Sequence, residues 1–296
     1  MASEPRVTIG VPVFNGAEYL GATLDSLLAQ TYSSFVILIG DNGSTDGTAD
    51  IARAYAARDP RIRYLRHSRN VGAGRNYSEL FRQSETEFFR WNAADDTSDP
   101  RLLEVCIEEL DRRKDVVLAY PCVVLIDGEG RALGPHDEHL DLPQESPSAR
   151  FLAVIDQRSS LCNAIYGVAR ASAVRRTRLF GSYRGSDIIF LTQLALRGKF
   201  RELEGVRYYR RLHPRAFKSM SVPDKLRFYN PDREQRIEFR YWRLFGEYLK
   251  AAFLEGVPIS DRGRLLAGLA LRFVRKRRTY WDELVQATRV VRPRHS

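Results

Sequence analysis

Short apolar segments rich in β-branched and aromatic residues recur at intervals of about 30 residues through the first 120 positions, with amphipathic helical patterns between them. That alternation admits little besides a parallel sheet covered by helices. The strand candidates are Val7–Val13, Phe35–Gly40, Ile62–Leu65, Glu87–Trp91 and Val116–Tyr120. In the first helix Tyr19, Leu20, Thr23, Leu24, Leu27 and Leu28 fall at three- and four-residue spacing. Asn15 with Glu18 reads as its cap, a carboxylate following three residues on.

Polar residues gather where these strands end. The first strand runs into Pro12-Val13-Phe14-Asn15, the second into Asp41-Asn42-Gly43-Ser44-Thr45-Asp46, and the fourth is followed by Ala94-Asp95-Asp96. Open α/β sheets bind ligands at the carboxyl ends of neighbouring strands, so the three loops describe one crevice. Asp41 could accept a hydrogen bond from an imide N–H such as uracil presents, although Asp41-Asn42-Gly43 also makes a turn with no ligand. Asp46 reads as the cap of a helix from Gly47 to Ala57. Asp95 and Asp96 would repel each other unless a cation shares them, and hard oxygen ligands suit Mg²⁺ or Mn²⁺ bound to a diphosphate. Helix capping explains the pair less well, because Asp99-Pro100 already supplies a cap and first-turn proline for a helix over Arg101–Arg113.

From Ile126 to Ser148 glycines and prolines break any periodicity, which predicts a long loop over the site. Beyond it the pattern predicts a helix near Ala149–Asp156, a strand at Cys162–Ala169, a helix at Asp187–Arg197 and a closing strand at Phe200–Arg210. After Pro223 it is purely helical: Lys225–Tyr229, Arg233–Glu255 and Asp261–Val291, broken at Gly256-Val257-Pro258. The organisation expected is a catalytic domain over 1–222 and a basic helical extension over 223–296.

The composition agrees with one α/β core, 44% of the 296 residues being hydrophobic. No stretch approaches the roughly 20 apolar residues that span a bilayer, and Met1-Ala2-Ser3-Glu4-Pro5 lacks the features of a signal peptide, so the expected location is the cytoplasm. Cys106, Cys122 and Cys162 are widely spaced among apolar residues, which argues against disulfides and structural zinc.

In combination these segments resemble a family 2 glycosyltransferase of the GT-A fold, over roughly Val7–Ser221. The resemblance implies a Rossmann-like mixed sheet flanked by helices, a nucleotide-diphosphate-sugar donor with UDP-sugars such as UDP-GlcNAc or a UDP-hexose favoured, Mn²⁺ or Mg²⁺ as cofactor, and transfer of a single sugar with inversion. In the family the Asp41 position meets the base. Asn70-Val71-Gly72-Ala73-Gly74-Arg75-Asn76 looks like the glycine loop that enters a helix below the nucleotide, with Arg75 in reach of base or phosphate. Pro12, Val13, Phe14 and Asn15 fall on the donor loop. Asp95-Asp96 resembles the Asp-x-Asp motif, Ala93 standing at its usual first acid, with Asp95 toward the ribose or sugar and Asp96 toward the metal, or the two roles exchanged. Gly185-Ser186-Asp187 to Gly198 fits the late helix that carries the catalytic base, which makes Asp187 the matching residue and a helix cap its alternative role. His213, in Arg210-Arg211-Leu212-His213-Pro214, lies where several GT-A enzymes bring a histidine to the metal or diphosphate; a lone His is as often a surface residue. Lys218 and Ser219 are weaker phosphate candidates on the same loop.

Competing classes fit less well. A sugar nucleotidyltransferase needs a glycine-rich, cationic loop after the first strand, whereas residues 13–20 hold only Gly16 and no positive charge. A nicotinamide dehydrogenase needs Gly-x-Gly-x-x-Gly there. A non-catalytic nucleotide-sugar-binding or scaffold protein stays open, with Asp95, Asp96 and Asp187 arguing against it. The Gln-x-x-Arg-Trp motif and membrane spans of processive synthases are missing. The acceptor, a glycan, lipid-linked or carrier-bound group of cell-surface or secondary-metabolite biosynthesis, is not fixed. The formal charge of +10 is concentrated late, in Arg272 to Arg278 and Arg289 to Arg294. No nucleic-acid partner is assigned. This tail, with Tyr241, Trp242, Phe245, Tyr248, Phe273, Tyr280 and Trp281, could rest on anionic lipid at the inner face of the membrane, meet an acidic partner, or pack on the catalytic domain or a second subunit as a homodimer.

Overall fold

The structure, a computed structural model, describes residues 4–136, 139–156, 162–232, 239–254 and 257–291, apart from the side chains of 218 and 286–291. The expected alternation is present. In chain order the elements are β1 (Val7–Val13), α1 (Leu20–Leu28), β2 (Phe35–Asp41), α2 (Thr48–Arg58), β3 (Ile62–Arg66), α3 (Ala73–Arg82), β4 (Phe88–Trp91), β5 (Thr97–Ser98), α4 (Leu102–Arg112), β6 (Val116–Ile126), β7 (Ala132–His136), α5 (Pro147–Asp156), β8 (Val168–Arg170), α6 (Ala171–Val174), α7 (Ser186–Ala195), β9 (Lys199–Arg211), α8 (Val222–Tyr229), α9 (Arg240–Ala251), α10 (Ile259–Arg275) and α11 (Arg277–Val291).

The strands form one mixed sheet in the order β3-β2-β1-β4-β8-β6-β9-β5, with β7 paired to β6. Its first four strands are parallel, Val13 lying beside Asp41 and Gly10 beside Trp91. Every residue of β1 and β4 is buried, as expected for strands covered on both faces. The order turns at β1, where β2 lies to one side and β4 to the other, so the loops after these strands open into the same crevice.

Several local expectations are corrected. The loop expected over 126–148 is in part a hairpin, because β6 runs on to Ile126 and pairs with β7. Residues 137–138 lie outside the described residues. Cys162–Ala169 is not one strand: a short 3₁₀ turn over Asn163–Tyr166 precedes β8, entered from a left-handed Cys162 at φ 50°. Asn15 does not cap α1, whose first turn follows Tyr19; at φ 51° its side-chain oxygen accepts from Thr45 N (2.8 Å) and ties the first loop to the second. Asp46 stands at the start of α2 as expected, accepting from Thr48 N (3.0 Å), and also accepts from Ala17 N (3.1 Å). The last helix is two helices meeting at Lys276. Of the helix expected over Arg233–Glu255, residues 233–238 and 255 lie outside the described residues.

Two apolar clusters hold these parts together. The larger lies within the sheet and its covering helices, around Ile9, Phe89, Trp91, Leu103 and Tyr120. A smaller one joins α5 and α7 to the C-terminal helices through Phe151, Ile189, Leu244, Tyr248, Leu265 and Leu269. No described helix is long and apolar enough to cross a membrane.

Candidate active site

The crevice at the strand ends is a cavity of about 820 Å³. Pro12, Val13, Phe14 and Asn15 line it from the loop after β1, Asn42 from the loop after β2, and Asn70 from the loop before α3. Asp95 and Asp96 line it from the loop after β4. The end of β9 adds Arg210, Arg211 and His213, and the segment beyond it, with Phe217, Arg227 and Phe228, forms the opposite wall. Of the weaker phosphate candidates, Ser219 lines the cavity, and the Lys218 side chain lies outside the described residues.

Asp95 and Asp96 take different environments. Asp96 is 2% exposed, its Oδ2 accepting from the Tyr208 hydroxyl (2.7 Å) and its Oδ1 from Arg211 N (2.7 Å). Burial and the neighbouring Asp95 push its pKa up to about 7, against the pull of Arg210 and these hydrogen bonds. Asp95 keeps a third of its side chain exposed, and its Oδ2 lies 2.9 Å from Nε2 of the nearly buried His213. The Tyr19 ring packs against His213 at 4.9 Å between centroids. Asp96 thus spends both oxygens inside the protein, and Asp95 presents its carboxylate beside an imidazole.

Among the described residues no group of three or more His, Cys, Asp or Glu gathers around one point. The Asp95–His213 pair nevertheless fits two adjacent positions of a six-coordinate metal shell. Arms of about 2.1 Å at right angles end about 3.0 Å apart, close to the observed spacing, and the donor set of one carboxylate and one imidazole suits Mn²⁺ with substrate oxygens completing the shell.

Arginines that no sequence motif announced surround this pair. Arg210 is deeply placed, bonded to the Asn163 side chain and beside the Tyr166 ring. Burial alone would lower its pKa, yet Tyr166, Asp96, Tyr208 and Asp95 lift it above its ordinary value, so the cation persists. Arg211 donates from Nε to the Asp95 carbonyl (2.9 Å) and from Nη1 to the Gly128 carbonyl (2.9 Å), pinning the Asp95 loop to the β6–β7 hairpin. The signal for both was the basic run before His213, which chain order alone does not bring to Asp95.

Four other expected residues do not line the cavity. Asp41 is fully buried beneath it, its carboxylate accepting from Ser44 N (2.8 Å) and the Tyr64 hydroxyl (2.6 Å), with Arg66 at 3.4 Å. Its neighbour Asn42 faces the cavity instead, bridging Asn70 Oδ1 (2.9 Å) and Val71 N (2.8 Å). Arg75 points to solvent. Gly72 serves the backbone: at φ 87° it enters α3, and a Cβ there would sit 2.4 Å from the Tyr229 carbonyl oxygen. Asp187 lies in the first turn of α7, which follows a left-handed Gly185, with Oδ1 accepting from Ile188 N (2.9 Å). Its desolvated surroundings raise its pKa, against that backbone bond and the Cys162 thiol. It does not line the cavity. Tyr229, which feels the charge of Asp187, packs with the cavity residues Phe217 and Phe228.

Residues 8–178 match the profile of Glycosyl transferase family 2. An uncharacterized glycosyltransferase of Rickettsia felis is 35% identical over 133 residues, 44% of this chain and 21% of that protein. The match takes up 40% of a second, from Rickettsia typhi, so the chain spans well under half of the curated relatives it first matches. The S. aureus TarS 1-349 structure in complex with UDP superposes with a TM-score of 0.63 at 16% identity, covering 90% of this chain and 71% of that one. The mannosyltransferase PcManGT from Pyrobaculum calidifontis, in complex with GDP-Man and Mn²⁺, superposes at 0.57 and 17% identity, covering 99% and 77%. At these identities the two share the fold.

Proposed function

The chain belongs to glycosyl transferase family 2, and from that premise we propose that it is a glycosyltransferase that moves a single sugar from a nucleotide diphosphate sugar to an acceptor hydroxyl with inversion. The observation that carries the reading is the Asp95–His213 pair, 2.9 Å apart in a cavity rimmed by Arg210 and Arg211 at the strand ends. Phe14 and Asn42 lie on the nucleotide side. Asn42 Oδ1, bonded once to Val71 N, retains a lone pair for a base N–H, which takes over the role expected of Asp41. A UDP-sugar stays the favoured donor, supported by the UDP in TarS; the GDP-Man of PcManGT makes GDP-sugars the comparison to run.

Asp95 and His213 would hold a Mn²⁺ or Mg²⁺ ion, which when bound supplies counter-charge to the leaving diphosphate. Arg210 adds fixed positive charge from the protein itself, in a site where burial strengthens each interaction. Asp187 is the proposed base for the acceptor hydroxyl. Its raised pKa makes it a stronger proton acceptor than an ordinary carboxylate, and the wall around Tyr229 has to yield for an acceptor to reach it. The acceptor class, glycan, lipid-linked or carrier-bound, is left to experiment.

Calorimetric titration of UDP, UDP-GlcNAc, a UDP-hexose and GDP-mannose with and without Mn²⁺ tests the donor reading. We expect a uridine nucleotide to bind more tightly with the ion present, and Asp95→Asn to lose that increment. Transfer that is undiminished both in excess chelator and in Asp95→Asn would sink the metal assignment.

A further inference from the structure

The C-terminal helices carry a surface that sugar transfer does not use. On α10 the residues Arg264, Ala267, Leu271 and Val274 follow one another at three- and four-residue spacing and all are exposed, so they form one outward stripe. Leu271 is 57% and Val274 55% exposed; just past the junction at Lys276, Trp281 is 66% exposed. Other aromatic residues of the tail pack on the other side, where the Phe273 and Tyr280 rings meet at a tilt, 4.8 Å between centroids, and engage Trp242 and Phe245 of α9. The outward apolar side chains are therefore left over from core formation.

Cations stand among them. Arg275, Lys276, Arg277 and Arg278 are all exposed, and among the described residues no carboxylate pairs with any of them, although Arg272 nearby is tied to Asp156. Asp282 is the one acid beside Trp281, since Glu283 turns inward to accept from the backbone N–H of Tyr241 (3.0 Å) and Trp242 (3.2 Å). Large apolar side chains interleaved with arginines that have no carboxylate partner among the described residues fit the interface of an anionic bilayer. There tryptophan and leucine enter the headgroup region and cations near the surface are drawn to the anionic headgroups.

We propose that the α10–α11 junction docks the protein on an anionic lipid bilayer, with Leu271, Val274 and Trp281 entering the interface and Arg275, Arg277 and Arg278 meeting headgroups. Lys276 links this face to the site: it is exposed, and it also lines a second cavity, of about 210 Å³, with Cys162, Ile188 and Arg240, the residues around Asp187. A docked bilayer would lie at the open side of that cavity.

The test is sedimentation of the full chain with vesicles of phosphatidylcholine alone and of phosphatidylcholine with one-third phosphatidylglycerol, in 50 mM and 500 mM salt. Binding is expected with the anionic vesicles at low salt, at least tenfold weaker in high salt and on the neutral vesicles, with a blue shift of tryptophan emission that Trp281→Ser removes. R275Q/R277Q/R278Q should cut binding at least tenfold, and L271S/W281S several-fold, with the melting temperature and nucleotide binding kept. No binding to anionic vesicles, or binding unchanged in either variant, overturns the proposal. Binding that is lost with the arginines but indifferent to Leu271 and Trp281 marks a bare polyanion site and overturns it too. Nucleotide titration in the same samples reads the donor site separately, so failure here leaves the proposed sugar transfer standing.

Discussion

Asp95 and Asp96 are adjacent in sequence and chemically unlike in the structure, and substitutions should separate them. Asp96→Ala would strand the Tyr208 hydroxyl and Arg211 N, both buried, and should destabilise the protein by about 1–3 kcal/mol in denaturant unfolding. Asp95→Asn should leave that stability unchanged and remove the metal-dependent part of turnover, read as loss of Mn²⁺ stimulation. Asp187→Asn should lower kcat by about 10²–10⁴-fold with donor affinity intact, because it removes a base without changing shape. The sign of its pH dependence follows from burial. A base works deprotonated, and its raised pKa moves the acidic fall in kcat/KM above the ordinary carboxylate range near about 3.9. That limb should vanish from the residual rate of Asp187→Asn; a profile identical to the wild type would make Asp187 a helix-capping residue only.

At the scale of elements, the segment from Leu212 to Pro231 decides how the cavity closes. It is held by the Arg215–Glu18 ion pair and the Phe217–Phe228–Tyr229 ring cluster. It presses on α3 where Gly72 meets the Tyr229 carbonyl. Gly72→Ala combines positive φ with a backbone collision that no side-chain rotation relieves, so we expect a loss of about 1–3 kcal/mol and weaker donor binding as α8 is displaced. Unchanged nucleotide affinity in that variant would detach α8 from the donor site. Because Asp224, Arg227 and Phe228 line the cavity, ending the chain at residue 222 would remove a wall of it, and the catalytic unit we propose runs at least to Pro231.

At the scale of the whole molecule, the C-terminal helices are joined to the catalytic part by shared burial. Leu265 is fully buried against the cluster that includes Phe151 of α5 and Ile189 of α7. Leu265→Ala should therefore cost about 2–5 kcal/mol and lower the melting temperature of one cooperative transition. A separate early transition of the tail, with the nucleotide-stabilised transition unmoved, would show that the extension folds independently.

The sequence by itself determined the parallel half of the sheet. β1 matches its expected span, and β2, β3 and β4 lie within a residue of theirs: β1, β2 and β4, buried on both faces, must be apolar runs with polar ends, whereas the largely exposed edge strand β3 was marked by its alternating apolar residues. For the same reason it located the crevice and Asp95, since strand ends are where such sheets leave backbone open to a ligand. Which way each polar side chain turns there was decided only by tertiary contacts. Asp41 and Asn42 are equally polar in the sequence, yet the pleat sends one to Tyr64 beneath the floor and the other to the cavity. Asp96 was withdrawn by Tyr208 and Arg211, more than a hundred residues later, and Arg210 reached the site because β9 lies parallel to β6 and ends beside the Asp95 loop. Periodicity reports which face of an element is buried; the partner that meets a polar group across the sheet is set by strand order, which local pattern does not contain.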